Sequence, residues 1–224
     1  MMRYRRSYRR PHKSRFVEMF GDLAICEKWQ EIKLIEACQN KDDIKCGPFG
    51  TQLCKDEYRD SGVAVWEIPQ INTQCQIFPD RFVSNEKARE LAEYTVEPGD
   101  IVMSRKGNVG KCAIFPSIWP VGIIHSDVLR IRVDRNICEP VFMMSQLHYN
   151  RDVQWQINLV SNGAVMAGVN VTKLKNVKVK IPPLALQREF AAFVDKVDKL
   201  AFAARRRRDV AKQLYRAKIQ EFFG

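Results

Sequence analysis

Between about Ala24 and Leu184 the apolar residues come in short β-branched runs, each closed by Gly, Pro or Asp. The runs are GVAVWEIP (62–69), DIVMS (100–104), KCAIF (111–115), GIIH (122–125), DVLRIRV (127–133) and VKVKI (177–181). Their length and borders predict strands. Two segments have helical texture instead: SNEKARELAEY (84–94), opened by a capping Ser84 or Asn85, and EPVFMMSQLHYNRDVQWQ (139–156), with Pro140 near its start. Trp66 and Trp155 fall inside these elements and read as core. The mixture is that of an α+β domain. Ahead of it, Lys13 to Phe20 reads as a short helix stopped by Gly21 and Asp22.

The texture changes at IPPL (181–184). Pro182 and Pro183 end the last strand, and neither Pro nor Gly recurs before Gly224. Leu186, Phe190, Phe193, Val197, Leu200, Ala204, Ala211 and Leu214 fall on alternating steps of four and three once Arg207 fills the missing place, which is a heptad seam. A helix from Leu184 to Phe222 is about 58 Å long at a rise of about 1.5 Å per residue. One narrow apolar stripe on so long a rod requires a partner helix along much of its length. The competing arrangement, a helix folded flat on its own domain, sits poorly with RRRRD (205–209). The chain therefore divides into a basic leader with a short helix tail (1–22), a globular domain (23–184) and a long helix (185–224).

Composition sharpens this picture at three points. The net charge of +11 is concentrated at the ends: residues 1–15 carry seven Lys and Arg and no acid, and residues 185–224 carry ten against five, leaving the middle almost neutral. A polyanionic partner is then met through a local basic patch rather than a global field. The seven cysteines include no CxxC pair, and His12, His125 and His148 lie near no cysteine or carboxylate at ligand spacing, so no metal site or disulfide framework is expected. No apolar run approaches the length of a membrane span, and MMRYRRSYRRPHK lacks the apolar stretch of a signal peptide, which points to a reduced, cytoplasmic protein.

Several segments, in order, resemble one known family. They are KWQEIKLIEAC, IKCGPFGTQL, GVAVWEIPQIN, VEPGDIVMSRKGNVGKCAIF, HSDVLRIRV, and NVTKLKNVKVKIPPLALQ followed by REFAAFVDKVDKL. Together they resemble the DNA specificity subunit of Type I restriction-modification enzymes over about residues 15–224. The proline pair followed by LALQREFAAFVDKVDKL is the most specific of them. The resemblance implies two target-recognition domains in a full-length member, each followed by a long helix, with the helices paired antiparallel. It also accounts for a near-repeat, since RFVEMFG (15–21) matches KIQEFFG (218–224) in residue type. Each reads as the end of such a helix, so the chain resembles half of a specificity subunit. By the same resemblance the chain is non-catalytic and binds double-stranded DNA, and its helices dock modification subunits that bring S-adenosylmethionine. Restriction subunits that use ATP and Mg2+ would add cleavage. A homodimer through the C-terminal helix would restore the second half-site and read a twofold-symmetric target. The alternatives are a coiled-coil oligomerisation module whose domain binds protein, or a silent fragment of a specificity subunit. The basic leader matches no element of the family.

Base edges are read by Arg, Lys, Asn and Gln, and phosphates are held by cations and by backbone that approaches closely. Four polar loops have this chemistry: Lys45, Gly47, Thr51, Gln52 and Lys55 around GPFG; Gln70 and Asn72 after a proline; Ser104, Arg105, Lys106, Asn108 and Lys111 in SRKGNVGK; and Ser161 and Asn162 before a glycine. Each is equally the composition of an ordinary hydrophilic turn. Catalytic patterns are absent. The only Pro-Pro lies in IPPL and has no preceding Asn, the only Glu-x-Lys precedes the Pro-Asp of residues 79 and 80, and no GxxxxGK[ST] occurs.

Overall fold

The computed structural model describes residues 10–107, 109–161 and 168–223. The basic leader, Asn108, Asn162 and Gly224 lie outside them. Three sheets form. In the first, β1 (Gln30–Lys33) pairs antiparallel with β10 (Lys178–Ile181), Gln30 opposite Ile181. The second is wholly antiparallel and runs β2 (Ile44–Cys46), β9 (Val128–Ile131), β6 (Ile101–Ser104), β7 (Cys112–Ile114). The third runs β4 (Phe82–Val83), β3 (Val63–Trp66), β8 (Gly122–Ile124), β5 (Thr95–Val96), with β3 and β8 parallel.

Every residue of β6 and β9 is buried. Side chains alternate across a strand, so these two must serve two cores. Ile101, Met103, Leu129 and Ile131 face helices α4 (Pro140–Tyr149) and α5 (Arg151–Ser161), joining Phe142, Leu147 and Ile157. Val102 and Val128 face the third sheet, joining Trp66, Val83, Phe115 and Ile123. Arg130 shares that second face. Its guanidinium is buried and donates to the carbonyls of Thr95 (2.5 Å), Asp42 (2.9 Å) and Glu93 (3.3 Å), and desolvation lowers its pKa. Two positions on, Arg132 grips the buried Asp100 with a fork of two 2.8 Å hydrogen bonds.

Helix α1 (Arg10–Phe20) lies on the first half of α7 (Leu184–Phe223). His12 Nε2 is 3.1 Å from Asp198, Arg15 is 2.9 Å from Glu189, and the Phe16 ring lies 5.5 Å from that of Phe190, so the numbering runs in opposite directions and the pair is antiparallel. Phe16, Phe20, Phe142, Tyr149 and Phe190 form one aromatic cluster with centroids 4.8 to 5.8 Å apart. Gln187 completes this junction: its Oε1 accepts from the amide of Glu139 (2.9 Å) and its Nε2 donates to the carbonyl of Pro182 (2.7 Å).

The strands expected from residue 62 to 181 all occur, with shorter limits, and four differences have physical causes. The strand expected over 62–69 ends at Trp66, because Pro69 sits in the first turn of α2 (Ile68–Asn72) and Gln70 Oε1 accepts from the Glu67 amide at 3.1 Å. The helix expected over 84–94 is α3 (Asn85–Glu90), capped by Ser84 as read, followed by a 3-10 turn Ala92–Tyr94. The helix expected over 139–156 is two, broken at Asn150, whose Oδ1 accepts from the Asp152 amide at 3.0 Å and so starts α5 anew. Trp155 is 60% exposed rather than core, because Val153 and Ile157 occupy the inner face of α5. Strands β1, β2, β4 and β5 and the short helix α6 (Val171–Lys175) were too short or too polar to stand out.

The seam of α7 has two regimes. Phe190 is fully buried and Leu186, Phe193 and Val197 are half-buried, whereas every described residue from Phe202 to Phe222 is exposed, with Leu200 at 72%. Replacing Phe190 by Ala removes a ring from the junction of α1, α4 and α7 and is expected to lower the unfolding free energy by about 3–5 kcal/mol. Leu200→Ala, on the exposed half, should change it by less than about 0.5 kcal/mol. Urea unfolding of the two variants beside the parent chain checks both.

Candidate nucleic-acid interface

The register of the second sheet brings the ends of β2 and β6 and the start of β9 to one margin, since Cys46 faces Leu129 and Ser104 faces Val128. Two of the four polar loops leave from this margin, those after β2 and β6, and residues 168 and 169 reach it. The β6–β7 hairpin is closed by the Ser104 amide on the Lys111 carbonyl at 2.8 Å, and its turn uses Gly107 (φ +68°) and Gly110 (φ +76°) in the left-handed region. Arg105 is where the loops meet. Its Nε donates to the Val169 carbonyl (3.2 Å), the Val169 amide donates to the Arg105 carbonyl (3.0 Å), and the guanidinium lies over the Phe49 ring at 4.7 Å. The loop of Gln70 and Asn72 is tied on from the side, because Lys111 Nζ donates to the Asn72 carbonyl at 3.0 Å. Gln74 and Cys75, both left-handed (φ 60° and 55°), hold the following turn against the hairpin, with Gln74 Nε2 donating to the Cys112 carbonyl at 3.0 Å.

The individual residues fare differently. Arg105 is part-buried and among the described residues is paired with no carboxylate. Lys106 is half-buried at the hairpin and held 2.7 Å from Asp127. Thr51 and Lys55 are exposed, and Gln52 is exposed but uses Oε1 to accept from the Phe49 amide (3.0 Å) and the Tyr94 hydroxyl (3.1 Å). Lys45 points away from the hairpin, across β2 to the Arg130 side, where its Nζ lies 2.5 Å from Glu93 and holds that carboxyl below its usual range. Ser104 and Gln70 are buried, and Ser161 donates within α5 to the Ile157 carbonyl at 2.6 Å. Gly47 is buried too. A Cβ there would stand 2.2 Å from the Ile124 carbonyl oxygen and 2.4 Å from His125, so its missing side chain serves the contact with β8. Asn108 and Asn162 lie outside the described residues.

Sequence reasoning missed the side chains that line the hairpin's other flank. His125 Nε2 lies 3.8 Å from Glu67, Glu67 is 3.1 Å from Arg81, and the Arg81 guanidinium lies over the Tyr58 ring at 5.5 Å. Burial raises the pKa of Tyr58. The signal was present in HSD (125–127), three polar residues inserted between two apolar strands. The result is a part-exposed surface in which cations, an imidazole, amides and two aromatic rings are held by backbone carbonyls and two acids. Among the described residues no group of three or more His, Cys, Asp or Glu side chains is placed to hold a metal ion, and no helix is long and apolar enough to cross a membrane.

The α+β fold with its long C-terminal helix is shared with solved structures. The chain aligns with a chain from a study of complex assembly and conformational transition of the type I R-M system, with a TM-score of 0.59 and 18% identity over 98% of this chain and 52% of that one. The HsdS subunit from Thermoanaerobacter tengcongensis aligns with a TM-score of 0.57 and 19% identity, over 91% of this chain and 48% of that one. In sequence, the type I restriction enzyme MjaX specificity subunit of Methanocaldococcus jannaschii is 23% identical over 146 residues, 63% of this chain and 34% of the relative. The chain thus spans between a third and about half the length of these relatives. The Type I restriction modification DNA specificity domain matches residues 27–211, and the chain belongs to that family.

The close approach at Gly47 gives a direct check. Gly47→Ala forces backbone apart at the end of β8 and is expected to destabilise the domain by more than about 2 kcal/mol. Thr51→Ala, four residues on and exposed, should be neutral. Thermal denaturation of both variants distinguishes a packing glycine from one kept open for a ligand.

Proposed function

We propose that the chain is a sequence-specific DNA-binding module, one recognition domain of a Type I restriction-modification specificity subunit, that reads duplex DNA with the loops gathered around Arg105. The convergence of residues 47–52, 104–111 and 168–169 on that side chain, in a member of a DNA specificity family, carries the reading. Arg105 and Lys106 are the cations on offer at the hairpin, and Lys55 and Thr51 extend the surface. Lys106 would exchange Asp127 for a phosphate, while Arg105, positioned by carbonyls and the Phe49 ring, suits a base edge or a phosphate fork. Glu67 and Asp127 disfavour unselective attachment to phosphate, which leaves binding dependent on shape and base contacts.

The domain supplies no chemistry of its own in this reading. Modification subunits would bring S-adenosylmethionine, restriction subunits would bring ATP and Mg2+, and α7 would dock them. The exposed half of α7 favours self-association as well: Leu200, Phe202, Leu214, Tyr215 and Phe222 are all more than 60% exposed along one rod. A homodimer through these helices would carry two domains at a fixed separation and read a bipartite, twofold-symmetric site.

The test is binding to duplexes enriched from a random library by the full chain. Affinity is expected to fall steeply with salt, log K changing linearly with log[salt]. Lys106→Ala should weaken binding and reduce the salt slope by about one charge, and Arg105→Ala should cost roughly 1–3 kcal/mol and relax the preferred sequence. A domain that enriches no duplex, or whose partner binding ignores salt and both substitutions, binds protein rather than DNA.

A further inference from the structure

The groove that α1 fills has a second candidate occupant in the same sequence. On α1, His12, Arg15, Phe16 and Phe20 are set against Asp198, Glu189, Phe193 and Phe190 at the base of the domain, and Met19 packs against the same core. In register with the repeated heptapeptide, the sequence at the end of α7 sets Tyr215, Lys218, Ile219 and Phe222 at the places of His12, Arg15, Phe16 and Met19. The likeness extends to the local ion pair: Arg15 meets Glu18 at 2.8 Å, and Lys218 meets Glu221 at 2.9 Å, each three residues on. The difference is cover. Phe16 is 2% exposed, whereas Tyr215 is 69%, Ile219 41% and Phe222 71%.

We infer that the C-terminal end of α7 is built to enter the α1 groove of a second copy of this chain, so that α1 is a resident competitor for the contact that closes a dimer. The occupant is another molecule because α7 is one unbroken helix, and Ile219 lies about 44 Å along it from Phe190. Its charge fits, since Lys218 would replace Arg15 opposite Glu189 and over the Phe193 ring. The groove cannot hold both helices: with Ile219 of the partner copy in the place of Phe16, α1 has to leave. Closing the dimer therefore exchanges one helix end for another in a single aromatic pocket.

The inference rests on the homodimer reading, and the experiment separates the two. Sedimentation equilibrium over a concentration series is combined with hydrogen exchange of residues 10–20 in the full chain. As the dimer fills, the amides of α1 should lose protection. Arg15→Glu opposes Glu189 and leaves Lys218 of the other copy as the better partner, so it should tighten the dimer roughly three- to tenfold, and adding Lys218→Glu should cancel the gain. A dimer in which α1 stays protected, or which ignores both charge changes, overturns the competition while leaving the homodimer intact. A monomer for the parent and both variants at the highest concentrations reached removes the second copy as occupant, and the homodimer with it. Should Arg15→Glu not fold, exchange of the parent chain alone decides.

Discussion

Burial of β6 and β9 on both faces is the constraint from which the rest of the arrangement follows. Two adjacent strands with no solvent face must be covered by helices on one side and a second sheet on the other, and every side chain on them is committed to one core or the other. Polar chemistry is thereby driven out to the strand ends. One charged exception inside, Arg130, is tolerated because three backbone carbonyls take its protons. Because the sheet is antiparallel, the β6–β7 turn and the segments flanking β2 and β9 emerge together, and a surface composed of separate stretches of sequence becomes a single one.

The long helix obeys a different economy of contact. Its first half is held by α1, α4 and the aromatic cluster around Phe190, where ring contacts between three helices fix the direction in which it leaves the domain. Its second half is exposed at every described residue from Phe202 to Phe222, and helices of this kind take most of their stability from tertiary contacts rather than from propensity. A rod of this length that carries exposed aromatic and aliphatic side chains on a charged background is matched to association with other helices.

Much of this was legible from the residues. The α+β class, six of the strands, the Ser84 cap and the break at IPPL followed from period and punctuation. The long helix followed from the four-three spacing, although its first half packs on α1 and α4 of the same chain, long-range contacts that no local pattern encodes. The loops were found by composition, yet composition could not tell Arg105, which gathers them, from Lys45, which crosses to Glu93, or Gly47, which serves β8. Those distinctions depend on strand register and on which carbonyls lie within reach. Trp155 was misplaced for a similar reason: aromatic character argued for the core, but the inner face of α5 was already occupied by Val153 and Ile157. The two-residue strands β4 and β5 carry too few side chains to show a period at all.

That a DNA-reading surface is assembled around Arg105 at one margin of a doubly buried sheet is tested most directly by hydrogen exchange of the chain with and without an enriched duplex. Protection on binding should concentrate in residues 47–55, 105–111 and 168–170, the segments that meet at the hairpin, and leave α4 unchanged. Protection confined to α4 and the start of α7, or spread with no focus at the hairpin, would contradict it.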